Sequence, residues 1–211
     1  MLPLLPRATR AHLRGIAGPT LAVVLAAGGL AGCGGDESPS ADSTAGATPT
    51  QSTQPSGDPT DGVPVEGDGY TLLAPPGWAD STDQVRERFA RVDAAAADTA
   101  VTGGFADNIN VIVSDKRRIN TQRKAERILR RELGMVGRNV RIQEPDELDG
   151  EVAYHATARL EVGRITVRTS QYFAAHEKKW YLLTFSYGPQ TDAETEAEEV
   201  QQVLDGWSWQ D

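Results

Sequence analysis

The sequence predicts an α+β fold, an antiparallel sheet accompanied by helices, confined to residues 67–211 of a 211-residue chain. Three observations carry that prediction. All 13 aromatic residues (Trp 4, Tyr 5, Phe 4) lie at or after Tyr70, whereas eight of the 12 prolines and ten of the 21 glycines precede residue 67, so the front of the chain cannot share an evenly packed core. Between Val152 and Tyr187 three alternating apolar segments follow one another with short connections, the pattern of an antiparallel meander. Segments with apolar residues at helical spacing stand before and after it, which makes the mixture α+β.

The first 32 residues read as a signal peptide. Arg7, Arg10 and Arg14 precede an apolar stretch from Ile16 to Ala27, a positive region followed by a short hydrophobic one. Gly18, Pro19, Thr20, Gly28 and Gly29 interrupt it, and a spanning helix needs about 20 consecutive apolar residues. The segment ends Leu30-Ala31-Gly32-Cys33, which resembles the bacterial lipobox: a small Gly32 lets a peptidase approach the bond before Cys33, whose thiol accepts diacylglyceryl. Two acyl chains anchor stably where one does not. With a single cysteine, no intramolecular disulfide and no cysteine-rich zinc site can form.

Residues 33–66 read as the lipidated cysteine followed by a tether rich in Ser, Thr, Pro and Gly, with Val63 and Val65 its only branched aliphatics. Such a stretch cannot bury enough apolar surface to offset backbone entropy, so disorder is expected, with a reach of roughly 30 to 35 Å. It carries six acids (Asp36, Glu37, Asp42, Asp58, Asp61 and Glu66) and no base. Removing the leader takes the formal charge from −9 to −12, and residues 67–211 hold 18 basic against 24 acidic groups. That balance argues against nucleic acid as a partner.

From Gly67 onward the elements follow in order. Tyr70 to Ala74 reads as a strand closed by the turn Pro75-Pro76-Gly77-Trp78. Thr82 to Phe89 reads as a short helix, while Val92 to Ala100 is open between helix, favoured by its alanines, and strand running into Gly103-Gly104. Asn108 to Val113 alternates as a strand. Ala125, Ile128, Leu129, Leu133 and Val136 recur at helical spacing behind Asn120 or Thr121 as N-cap. The meander then runs Val152–Leu160, a turn at Gly163, Ile165–Phe173, and Trp180–Tyr187. Thr191-Asp192-Ala193-Glu194 reads as a capping box for a terminal helix with Ala197, Val200, Val203 and Leu204 inward and Gly206 as its stop.

The order GYTLLAPPGW, GFADNINVIV, helix, KKWYLLTFSY and a helix ending LDGWSW, together with the lipobox and tether, resembles the actinobacterial LpqN-type lipoproteins over Gly69 to Trp209. The resemblance implies a PsbP-like fold, an antiparallel sheet sandwiched between helices on both faces. It also implies an exported, membrane-anchored, non-catalytic protein that binds a partner or ligand in the envelope. The family pattern contains no catalytic residues to carry over.

The residues themselves supply little catalytic chemistry. HExxH, GxSxG, SxxK, GxGxxG and GxxxxGK are absent, and no cofactor or metal is expected. His155 reads as an ordinary sheet histidine and His176 as an exposed turn residue. Trp78, Trp207 and Trp209 read as core or as cover for a sheet edge, and Asp192, Glu194, Glu196, Glu198 and Glu199 as acids favoured by the helix macrodipole. One feature stands out: Lys116, Arg117, Arg118, Arg123, Lys124, Arg127, Arg130 and Arg131 crowd one segment, and Arg123, Lys124, Arg127, Arg130 and Arg131 occupy the arc opposite the apolar set. This basic face is either a plain solvated surface or a contact for anionic lipid headgroups or an acidic envelope partner. Glu132 falls inside the apolar arc, and Arg141 is its candidate partner.

The sequence thus predicts a lipoprotein at the extracytoplasmic face of a bacterial cell membrane, anchored through Cys33, acting as a binding or accessory module for an envelope protein rather than as an enzyme. The second reading is a carrier holding an apolar small molecule or lipid between sheet and helix.

Overall fold

A computed structural model describes residues 62–101, 104–115 and 121–210. Gly32, Cys33, the tether through Asp61, and Lys116, Arg117 and Arg118 lie outside the described residues. The chain order is β1 (Val63–Gly67), β2 (Tyr70–Ala74), β3 (Trp78–Asp80), α1 (Thr82–Arg86), β4 (Ala94–Asp98), β5 (Asn108–Ser114), α2 (Gln122–Val136), β6 (Arg138–Ile142), β7 (Asp146–Leu148), β8 (Glu151–Val162), β9 (Ile165–His176), β10 (Lys179–Tyr187), α3 (Ala193–Asp205) and β11 (Ser208–Trp209). An eight-stranded sheet runs β3-β4-β5-β10-β9-β8-β6, with β7 also paired to β8, and a three-stranded sheet runs β1-β2-β11. Every pairing is antiparallel.

Strand alternation sends neighbouring side chains of the large sheet into two separate cores. Val111, Tyr172 and Tyr181 enter one of them; Ile112, Phe173 and Leu182, each the next residue along, enter the other. The first core contains Val65, Tyr70 and Leu72 of the small sheet and Val200, Val203 and Leu204 of α3. The second is built against Ala125, Leu129 and Leu133 of α2. Full burial of each large aliphatic side chain contributes about 1.5 to 3 kcal/mol, so α2 is held to the sheet chiefly by Leu129 and Leu133.

Several boundaries differ from the sequence reading, each for a physical reason. Residues 63–66, assigned to the tether, are strand: Val65 is fully buried and Val63 pairs with Ala74, so the fold begins at β1 rather than at residue 67. Val92–Ala100 resolves as β4, where small alanines fit beneath the β1 layer that lies against it. The turn Pro75–Trp78 forms as read, its Trp78 amide donating to the Pro75 carbonyl, and Trp78 also opens β3, paired to Asp98. Helix α1 stops at Arg86 rather than at Phe89. The strands β6 and β7, not foreseen, fill the stretch between α2 and the meander.

One cap is reassigned and one is as read. Asp192, not Thr191, is the N-cap of α3 and accepts from the amides of Glu194 and Thr195; these bonds hold its carboxyl below its ordinary value. The Thr191 hydroxyl donates instead to Asp107. Thr121 is the N-cap of α2 in extended backbone, but its side chain makes no capping bond.

Candidate interaction surface

Helix α2 forms where its sequence places apolar groups at Ala125, Leu129 and Leu133, and burying that stripe turns the arginines outward. Arg123, Arg127, Arg130 and Arg131 are exposed, whereas Lys124 is half-buried and already engaged with a neighbour. The predicted basic face therefore stands as four arginines, with Lys124 at its border. Spacings of three and four residues place like charges side by side: Arg123 by Arg127, and Arg127 by Arg130 and Arg131. Each such pair costs a few tenths of a kcal/mol, since like charges at this spacing destabilise a helix.

Among the described residues, only Arg131 of these four lies within ion-pair distance of an acid. Glu126, half-buried on the same helix, accepts from Gln122. Arg131 approaches Glu132 at 3.9 Å with its side chain 61% exposed, too wet to contribute much. Glu132 itself is buried, its carboxyl is pushed up by desolvation, and one of its oxygens has no partner. The candidate pairing with Arg141 is not formed; the charges that act on Glu132 are Arg131 and, across the structure, Arg91.

The positive surface does not end with the helix. Strand β6 is the outer edge of the large sheet and carries Arg138 and Arg141, both exposed. Their cross-strand neighbours are Arg159 and Thr157, on the sheet face turned away from α2, so basic groups cluster on that face of the edge. Among the described residues, none of Arg123, Arg127, Arg130, Arg138 and Arg141 makes an ion pair. Met135 and Val136, 61% and 46% exposed, lie at the junction of α2 and β6. The sequence reading missed the β6 arginines, although Val140 and Ile142 two residues apart were a strand signal that would have placed them.

The remaining polar groups are arranged to hold the fold. Asp107 accepts from the Gly188 amide at 2.6 Å and from Thr191, tying the start of β5 to the loop before α3. Glu199, read from sequence as one of the acids favoured by the helix macrodipole, turns inward near Trp78 and Tyr187, and burial with Asp107 and Asp98 nearby pushes its carboxyl up to about 7. His155 stacks on Tyr172 at 4.2 Å, and burial lowers its imidazole to about 4. His176 is not the free turn residue expected, being stacked on Trp209 and 3.2 Å from Glu151. Trp78 and Trp207 are core, and Trp209 covers a sheet edge as foreseen.

Two further observations bear on ligands. On the α2 side of the large sheet, Asn110, Thr184 and Gln171 form one cross-strand row and Asn108, Ser186 and Thr169 the next, all buried. The Asn110 amide, Gln171 Oε1 and Ser186 Oγ have no hydrogen-bond partner. An apolar molecule over these rows would leave them unpaired, at about 1 to 3 kcal/mol each. Of the clefts, one of about 230 Å³ is lined by Asp68, Arg86, Arg91, Asp93 and Asp115, and one of about 520 Å³ by Glu66, Asp80, Asp83 and Arg86, so both are charged rather than apolar. Among the described residues no three His, Cys, Asp or Glu side chains converge to hold a metal, and no helix is long and apolar enough to cross a membrane.

No protein-family model matches the chain, and no curated protein matches it. Solved structures do. The solution structure of cyanobacterial PsbP (CyanoP) from Synechocystis sp. PCC 6803 matches with a TM-score of 0.50 at 20% identity, covering 77% of this chain and 99% of that one. The Saccharomyces cerevisiae Ran-binding protein Mog1p matches with a TM-score of 0.50 at 10% identity, over 68% and 91% of the two chains. LpqN of Mycobacterium tuberculosis, described as involved in cell envelope biogenesis, gives 0.47 at 13% identity over 74% and 88%. What the likeness to CyanoP shows is a PsbP-like α+β fold built on a mostly antiparallel sheet.

Proposed function

We propose that the chain is a lipid-anchored, extracytoplasmic lipoprotein of LpqN type, a non-catalytic module that binds a protein of the bacterial cell envelope. In this reading residues 1–32 are the signal peptide, Cys33 carries the lipid, and the segment up to Asp61 is the tether. The folded module starts at β1 and places its helices on both faces of the sheet. The observation that carries the binding role is that Arg123, Arg127, Arg130, Arg138 and Arg141 make no ion pair among the described residues, in a chain of net charge −9. Arg is enriched in protein interfaces because its planar fork pairs with carboxylates in two places at once. Mog1p, named as a Ran-binding protein, is an instance of this fold put to protein binding. The polar rows on the α2 side of the sheet weigh against an apolar cargo over β5, β10 and β9.

The test uses the full chain expressed in an actinobacterial host. Fractionation should find it with the membrane, Cys33→Ser should release it, and cross-linking followed by mass spectrometry should recover one reproducible envelope protein. A lipid that copurifies in fixed ratio with the chain, with no protein cross-link, would replace this reading by the carrier.

A further inference from the structure

We infer that the β6 edge is a strand-addition site for an extended acidic segment of a partner protein. The proposal deepens the binding role above and rests on it. An edge strand leaves one row of backbone amides and carbonyls free to pair with another chain, and β6 is such an edge. Its register is irregular between Arg138 and Arg141, and Asn139 has a φ of 55°, which disfavours a long flat pairing with a second copy of the same strand. Arginine on the edge works in the same direction, because two copies brought edge to edge would place arginine against arginine. The same charges favour one kind of visitor.

An extended segment projects alternate side chains to opposite faces of the sheet it joins. At β6 one face is basic, with Arg138, Arg141 and Arg159 exposed on it, and the other lies on the side of α2, which packs against β6 and β8. Carboxylates on the first side of an incoming strand therefore meet guanidinium groups, while apolar side chains on its other side meet Met135 and Val136 at the end of α2. A membrane surface has no row of amides and carbonyls to pair with an edge strand, which is why the geometry favours a peptide chain.

The experiment measures binding of a fluorescent peptide of alternating Glu and Val to the purified full chain in detergent, with hydrogen exchange on β6 as a second reading. Binding should weaken with salt and should slow exchange at Ile142, whose amide faces the open side of β6 between the pairs Arg141–Thr157 and Gln143–His155. The double variant R138E/R141E should lose about tenfold in affinity, since each exposed charge pair contributes up to ~1 kcal/mol, and should gain affinity for the matching Lys and Val peptide. A backbone-methylated Glu and Val peptide, which keeps its charges but cannot pair, should bind more weakly than the parent. Equal binding of the methylated peptide, protection away from β6, or arginine-dependent binding to phosphatidylglycerol vesicles but not to the peptide would each overturn the proposal. A cross-linked envelope protein mapped to another surface would remove the edge site and leave the binding role standing.

Discussion

The imidazole of His176, at the end of β9, lies 4.3 Å from the indole of Trp209 and within 4° of parallel to it. The same imidazole is 3.2 Å from a Glu151 oxygen, and the Trp209 indole donates to the carbonyls of Leu148 and Asp149. This stack fastens the last strand to the end of the meander. His176→Ala should lower stability by about 1 to 2 kcal/mol, while His176→Phe, which keeps the stack and loses the Glu151 contact, should recover about half of it. Urea midpoints of the two variants check this; equal losses would show that stacking contributes nothing.

Glu199 sets a pH dependence. Its carboxyl is pushed from 4.5 to about 7, first by burial and then by Asp107, so the folded state keeps a proton that the unfolded chain releases. The stability this contributes is complete below about pH 4.5 and is lost as pH rises through about 7. Because the group is partly hydrated, the loss should be on the order of 1 to 2 kcal/mol between about pH 5 and 8. Glu199→Gln should remove that decline, which unfolding curves across this range would show.

His155 works with the opposite sign. Burial lowers its imidazole from 6.5 to about 4, so the fold holds it neutral and the unfolded chain takes up the proton first. Its contribution is present above about pH 6.5 and is lost as pH falls toward 4. His155→Phe should retain the stack on Tyr172 and relieve this acid sensitivity. Between about pH 4.5 and 6.5 the two groups offset each other, so each single variant should expose the slope of the other.

Gly67 has no room for a side chain. A Cβ there would overlap the ring of Tyr70, which is fully buried and stacked on Trp207 at 4.1 Å. Gly67→Ala should therefore cost about 1 to 3 kcal/mol, the usual range for overpacking, and should reduce near-ultraviolet circular dichroism from the stacked rings. Wild-type stability in this variant would mean that β1 is not packed as described.

What the sequence made legible was whatever had long local periodicity. The twelve-residue strands β8 and β9, the fifteen residues of α2 and the stop at Gly206 are each specified by neighbours along the chain. Strand β4 was ambiguous because four alanines have no side-chain period, and only pairing with β5 decides it. Strand β1 was hidden by its Pro64 and by the low-complexity stretch before it, since Val65 is apolar for reasons that lie in a distant core. The α2 arginines were readable from helical spacing. The edge position of β6 was not, because strand order is a long-range property that no window of sequence contains.

The pairing of β11 with β2 has a consequence in time. Ser208 stands opposite Thr71, so a strand near the beginning of the fold waits for one of the last to be made. Contacts this far apart in sequence form late, after the loop-closure entropy of the whole intervening chain has been overcome. The meander pairs neighbours in sequence and can form early, but Tyr70 and Leu72 are covered only when α3 and Trp207 dock on them. Until then the opening hairpin is an exposed apolar surface, so that docking decides when the fold stops being a substrate for chaperones and proteases.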